Sequence, residues 1–70
     1  MKAGHILVNG IERAWSGGSL LALLAASGVD AARPGIAIAV NGRVVSRAQW
    51  SERDVRPGDD VEIVGATAGG

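Results

Sequence analysis

Apolar residues in this chain recur with two different periods, and the contrast predicts which stretches extend and which coil. His5 to Asn9 (HILVN) is rich in β-formers and runs into Asn9-Gly10, the dipeptide best suited to the positive φ angles of a two-residue hairpin. Ile11 to Trp15 is therefore expected to return antiparallel to the first strand. With Ile6 and Val8 facing a core, the period of two sends Leu7 to the opposite face as an exposed aliphatic. Ser16-Gly17-Gly18 breaks the pattern, and Ser19 stands where a hydroxyl can accept from the free amides of a following helix. Leu20, Leu23, Leu24 and Ser27 then fall at i, i+3, i+4 and i+7, one stripe of a helix that Gly28 can close, with Leu21 off the stripe.

Beyond a connection containing Arg33-Pro34-Gly35, Ile36, Ile38 and Val40 alternate with Ala37 and Ala39 in a third strand that is large on one face and small on the other. Asn41-Gly42 repeats the hairpin signal and predicts a short fourth strand over Arg43 to Ser46. Arg47 to Val55 shows neither period and reads as a turn or a single helical turn. Arg56-Pro57-Gly58-Asp59 is a turn signal, and Val61 to Val64 alternates as a fifth strand. Strand, strand, helix, strand, strand, strand describes a two-layer α+β domain, a mixed sheet of about five strands on one main helix, and this is the order of the β-grasp (ubiquitin-like) fold. The domain is expected over residues 1–64, with 65–70 as a flexible tail.

Composition narrows the chemistry. Seventy residues make one domain, and 47% hydrophobic content with zero formal net charge is that of a folded chain. There is no cysteine, so thiol nucleophiles, side-chain persulfides and thiolate metal sites are excluded. Seven basic against seven acidic residues argue against a nucleic-acid partner. The longest aliphatic stretch, Leu20 to Ala26, is far short of the ~20 residues that span a bilayer, so no membrane association and a cytoplasmic location are expected.

His5 belongs to no catalytic motif in the sequence and reads as an ordinary strand-edge residue. Asp54, Asp59, Asp60 and Glu62 match no calcium-loop spacing and read as a solvated turn, so neither a catalytic residue nor a metal site is expected. Arg53 and Arg56 read as a solvated rim. Arg43 and Arg47 share that rim and could pair with acidic groups on a partner. Trp15 and Trp50 read as core-edge packing. Leu7 and Val64 lie opposite the core and are the expected apolar partner surface.

After Val64 come Gly65, Ala66, Thr67, Ala68, Gly69 and Gly70, with little apolar area to offset the entropy of ordering them. Extended, six residues reach roughly 20 Å. Glycines, lacking Cβ, can thread a narrow channel. Gly-Gly alone is weak in a chain with 11 glycines; joined to a strand that delivers the chain straight into the tail, it becomes informative.

The chain resembles the ThiS family, the sulfur carriers of thiamine thiazole biosynthesis. The likeness lies in Ile6-Leu7-Val8-Asn9-Gly10, in Ser19-Leu20 with Leu23-Leu24, and in Ala39-Val40-Asn41-Gly42. It continues through Val45, Arg47 and Trp50, Gly58-Asp59, Val61-Glu62-Ile63-Val64 and the final Gly69-Gly70. Ser46 departs from the proline often found there, and Ala66 to Ala68 are smaller than the usual tail residues. The resemblance implies a carrier and not an enzyme, with no cofactor of its own. A ThiF-like adenylating enzyme using ATP and magnesium would activate the Gly70 carboxylate, a cysteine desulfurase would supply sulfur, and a ThiG-like thiazole synthase would receive it. The small subunit of molybdopterin synthase and a ubiquitin-like protein modifier are the competing readings.

Overall fold

The computed structural model describes residues 4–65. Its strands are β1 (His5–Val8), β2 (Ile11–Ala14), β3 (Ile36–Val40), β4 (Arg43–Val45) and β5 (Asp60–Gly65), with one helix, α1 (Leu20–Ala26), and a 3₁₀ turn at Arg47–Gln49. The five strands form one sheet in the order β2-β1-β5-β3-β4. β5 pairs in parallel with β1 and antiparallel with β3, so the last strand joins two hairpins into a single mixed sheet.

Both hairpin turns follow from their dipeptides. Asn9 and Gly10 have φ of 52° and 82°, Asn41 and Gly42 52° and 83°, the doubly positive pattern of a type I′ turn whose twist matches that of the strands. A two-residue turn also sets register: Val8 faces Ile11, and Val40 faces Arg43.

The helix is short, and each amide of its first turn has a partner. Ser19 Oγ accepts from the Ala22 amide at 3.2 Å, while the Leu20 and Leu21 amides donate to the carbonyls of Arg53 (2.9 Å) and Trp50 (3.2 Å). Three free donors of the first turn are thus satisfied, two of them by the irregular segment between β4 and β5. At the other end Gly28, at φ 75°, donates to Ala25 and Val29 donates to Leu24, the paired bonds of a Schellman motif. Seven residues could not hold a helix in water by propensity alone. What holds it is burial of Leu20, Leu23 and Leu24 against the sheet.

The core comprises those leucines with Ile6, Val8, Ile38, Val40, Trp50, Val55 and Val61. Leu21 is exposed, as its place off the stripe requires. Trp50 lies deeper than the edge position expected of it, at 2% exposure, because its indole Nε1 has a partner inside, the Val45 carbonyl at 3.0 Å. Trp15 stays at the periphery and donates from Nε1 to the Val55 carbonyl at 3.2 Å. Among the described residues no buried side-chain nitrogen or oxygen lacks a hydrogen-bond partner.

Gly65, placed in the tail by the sequence, is the last residue of β5, opposite Ile36. β3 extends far enough to pair with it, so the sheet ends one residue later than expected. The rest of the tail lies outside the described residues.

Leu24→Ala is expected to lower the free energy of unfolding by about 2–5 kcal/mol, since it empties a fully buried site. Leu21→Ala, on the exposed side of the same helix, should cost less than about 1 kcal/mol. Urea denaturation of the two variants checks the difference.

Candidate functional site

β5 is both the central strand of the sheet and the segment that delivers the chain to the C-terminal residues. Gly70, expected to carry the chemistry, lies outside the described residues together with Ala66, Thr67, Ala68 and Gly69. The structure describes the strand that precedes them in the chain.

That strand has two faces. Inward, Val61 and Ile63 join the core. Outward, Asp60, Glu62 and Val64 are exposed, and Val64 is 59% accessible. β3 supplies only alanines to this outer face: Ala37 is opposite Val64, and Ala39 is opposite both Glu62 and Val44. Val44 on β4 is 79% accessible, the most exposed of the large apolar side chains. Two exposed valines thus flank a shallow lane of alanines, with Glu62 at its side.

Not all of the expected partner surface converges here. Leu7 faces outward but is only half-buried and pairs with Asp60, four residues before Val64 along β5, or about 13 Å. The parallel register of β1 and β5 separates the two residues, so they form no joint patch. Arg43 is opposite the buried Val40, on the helix side of β4, and does not share a face with Val64. Val44 was missed by the sequence reading, although the two-residue turn at Asn41-Gly42 already implies that it opposes Ala39.

Arg47 is exposed yet engaged within the chain. Its guanidinium donates to the carbonyls of Ala31 and, at 2.9 Å, of Arg33, and its Cζ lies 4.4 Å from the centre of the Trp50 ring. Rather than standing ready for a partner, it ties the loop after α1 to the turn after β4.

Asp59 of the acidic turn is likewise engaged within the chain. Asp59 accepts from the Arg56 amide at 2.9 Å and from Asn41 Nδ2 at 3.0 Å. Among the described residues no three His, Asp or Glu side chains are grouped to hold a metal ion. His5 begins β1, half-buried and opposite Ala14.

Beside the end of β5 an open groove of about 470 Å³ is bordered by Val8, Asn9, Arg13, Ile36, Ile63 and Gly65. Arg13 Nη1 donates to Ser27 Oγ at 2.9 Å, joining β2 to the end of the helix across it.

Mixed sheet, single crossing helix and a central C-terminal strand define a ubiquitin-like β-grasp domain. The chain belongs to the ThiS family, whose sequence model matches residues 6–70. Its structure is similar to the crystal structure of the thiamine biosynthesis protein ThiS from Geobacter metallireducens, with a TM-score of 0.78 and 28% identity, covering 94% of this chain and 99% of that one. No curated protein matches the sequence. No helix among the described residues is long and apolar enough to cross a membrane.

Arg47→Lys keeps the charge but loses the fork that reaches two carbonyls and stacks on Trp50. It is expected to lower stability by about 1 kcal/mol, where an arginine of a merely solvated rim would change it by less than about 0.5 kcal/mol. Thermal or urea denaturation reads the difference.

Proposed function

We propose that this chain is a sulfur carrier for the thiazole ring of thiamine, working through the carboxylate of Gly70. The observation that carries the reading is the continuity of β5 with a Gly-Gly end in a chain of the ThiS family. A central strand, paired on both sides, gives the departing chain a rigid anchor, and small residues beyond it suit a narrow active site.

A terminal carboxylate has a reference pKa of about 3.3–3.7, so at neutral pH it is an anion that resists attack. In the proposed cycle a ThiF-like adenylating enzyme, with ATP and magnesium, converts it to an acyl adenylate and releases pyrophosphate. AMP then becomes the leaving group: the terminal sulfur of a cysteine desulfurase persulfide displaces it to give an acyl disulfide, and two thiol equivalents reduce the S–S bond, freeing the thiocarboxylate and leaving the desulfurase cysteine as a thiol and the reductant as a disulfide. The resulting thiocarboxylate is a stronger nucleophile than the carboxylate, and it delivers its sulfur to an intermediate held by a ThiG-like thiazole synthase. The carrier contributes a terminus and a surface, its partners contribute the catalytic groups, and all of this belongs in the cytoplasm. The outer face bearing Val44 and Val64 is the surface offered to those partners, because it lies on the strand that leads to the terminus.

Incubation with the adenylating enzyme, ATP, magnesium, a persulfide source and a thiol reductant should add one sulfur in place of one oxygen to the intact mass. Removing Gly69-Gly70 should abolish that gain while leaving the unfolding midpoint unchanged. Ligation to other proteins without any sulfur gain would identify a modifier instead, and sulfur passing to a pterin and not to thiazole would identify the molybdopterin pathway.

A further inference from the structure

Regular pairing between β1 and β5 stops at Val61, four residues before β5 ends at Gly65. Leu7 donates to the Asp59 carbonyl at 3.0 Å and Asn9 donates to the Val61 carbonyl at 2.9 Å, the successive rungs of a parallel ladder. The next rung would need the Asn9 carbonyl as acceptor for Ile63 and an amide further along as donor to it. Neither is in place, because at Asn9 the chain enters its left-handed turn and doubles back into β2. The Asn9 side chain fills both roles. Its Oδ1 accepts from the Ile63 amide at 2.7 Å, and its Nδ2 donates to the Ile63 carbonyl at 3.1 Å.

A carboxamide carries an acceptor and a donor side by side, so it can stand in for a stretch of strand backbone. Beyond it, Val64 and Gly65 have partners only on the other side, opposite Ala37 and Ile36. The Asn9 clamp is therefore the last hold that the β1 side of the sheet has on the strand before the chain departs.

The other hairpin supplies an internal control. Asn41 occupies the same position of the same turn at the same φ of 52°. Its Oδ1 accepts from the Asp60 amide at 2.9 Å and its Nδ2 donates to the Asp59 carboxylate at 3.0 Å. It clamps the start of β5, remote from the terminus.

We infer that Asn9 is a positioning residue for the carrier terminus: by substituting for the missing rung it holds the last residues of β5 in line, so that the chain leaves Gly65 in a set direction. This rests on the proposed function for its consequence and on the hydrogen bonds alone for its mechanism. Order absent from the free carrier must be imposed when a partner binds, so losing the clamp weakens recognition more than the chemical step.

Asn9→Gly and Asn41→Gly both keep a residue at ease with positive φ and both delete a carboxamide. Amide hydrogen exchange is expected to quicken at Ile63 by about tenfold or more in N9G and to stay near the wild-type rate there in N41G. With the adenylating enzyme, ATP and magnesium, N9G should raise the KM for the carrier about fivefold or more while kcat changes by less than about twofold, and N41G should leave both near wild type. Asn9→Asp, which keeps the turn and an acceptor but loses the donor, should fall between. Unaltered exchange at Ile63 in N9G would overturn the inference, as would equal KM changes in N9G and N41G. A wild-type chain that is never adenylated would overturn the proposed function and the consequence drawn from it, while the exchange pattern would still decide whether the clamp exists.

Discussion

The insertion of β5 between two hairpins is the constraint on which this domain depends. β1 with β2, and β3 with β4, are each a two-stranded ribbon closed by its own Asn-Gly turn, and a lone ribbon of that size is marginal in water. β5 is a neighbour to both, parallel to one and antiparallel to the other, and only with it in place is there a sheet broad enough to cover the leucine stripe of α1. Val61, its second residue, is fully buried and meets Val8 on one side and Val40 on the other. Because the strand that completes the sheet comes near the end of the chain, the contacts that create the fold are long in sequence. They also anchor the segment that the proposed function requires to be presented.

The second structural debt is to the segment between β4 and β5, which has almost no regular structure and yet closes the other end of the core. It buries Trp50 and Val55, gives the carbonyls of Trp50 and Arg53 to the first amides of α1, and receives the Gly18 carbonyl through the Val55 amide. Arg47 then fastens it to the loop that follows the helix. These links explain how so short a helix is kept in place in a chain with no cysteine to form a disulfide. Its donors are met by the chain that packs over its N-terminus, its acceptors by a glycine-closed turn, and its apolar stripe by the sheet.

How much of this could be read beforehand depended on whether the determinant was local. Asn9-Gly10 and Asn41-Gly42 specify their turns through backbone angles that few other residues adopt, and Leu20, Leu23 and Leu24 specify the buried side of the helix through their spacing, so the element order followed. Register between strands distant in sequence was not legible. Nothing local to Leu7 or Val64 says that Leu7 opposes Asp60, so the outward orientation the two share did not reveal their separation along the sheet. The internal contacts of Arg47 were not legible for the same reason, since its acceptors belong to a connection, at Ala31 and Arg33, with no pattern of its own. Val44 was legible in principle, because a two-residue turn dictates its partner. Its importance was obscured by Val45, an identical residue on the opposite face.

The two turn asparagines show how a fold of this size can do two things with one residue. In each, the positive φ that closes the hairpin swings the main chain away from β5, which would leave polar groups of that strand unpaired. In each, the side chain turns back and meets the groups its own backbone has abandoned. Aspartate could make the turn but not the donor bond, and glycine could make the turn but neither bond. The demand for asparagine thus has two independent physical sources at one position. Since one of these clamps holds the start of the central strand and the other holds it near its end, the sheet delivers the chain to its terminus from a strand secured by both hairpins. That is the mechanical requirement that the proposed function places on the strand leading to Gly70.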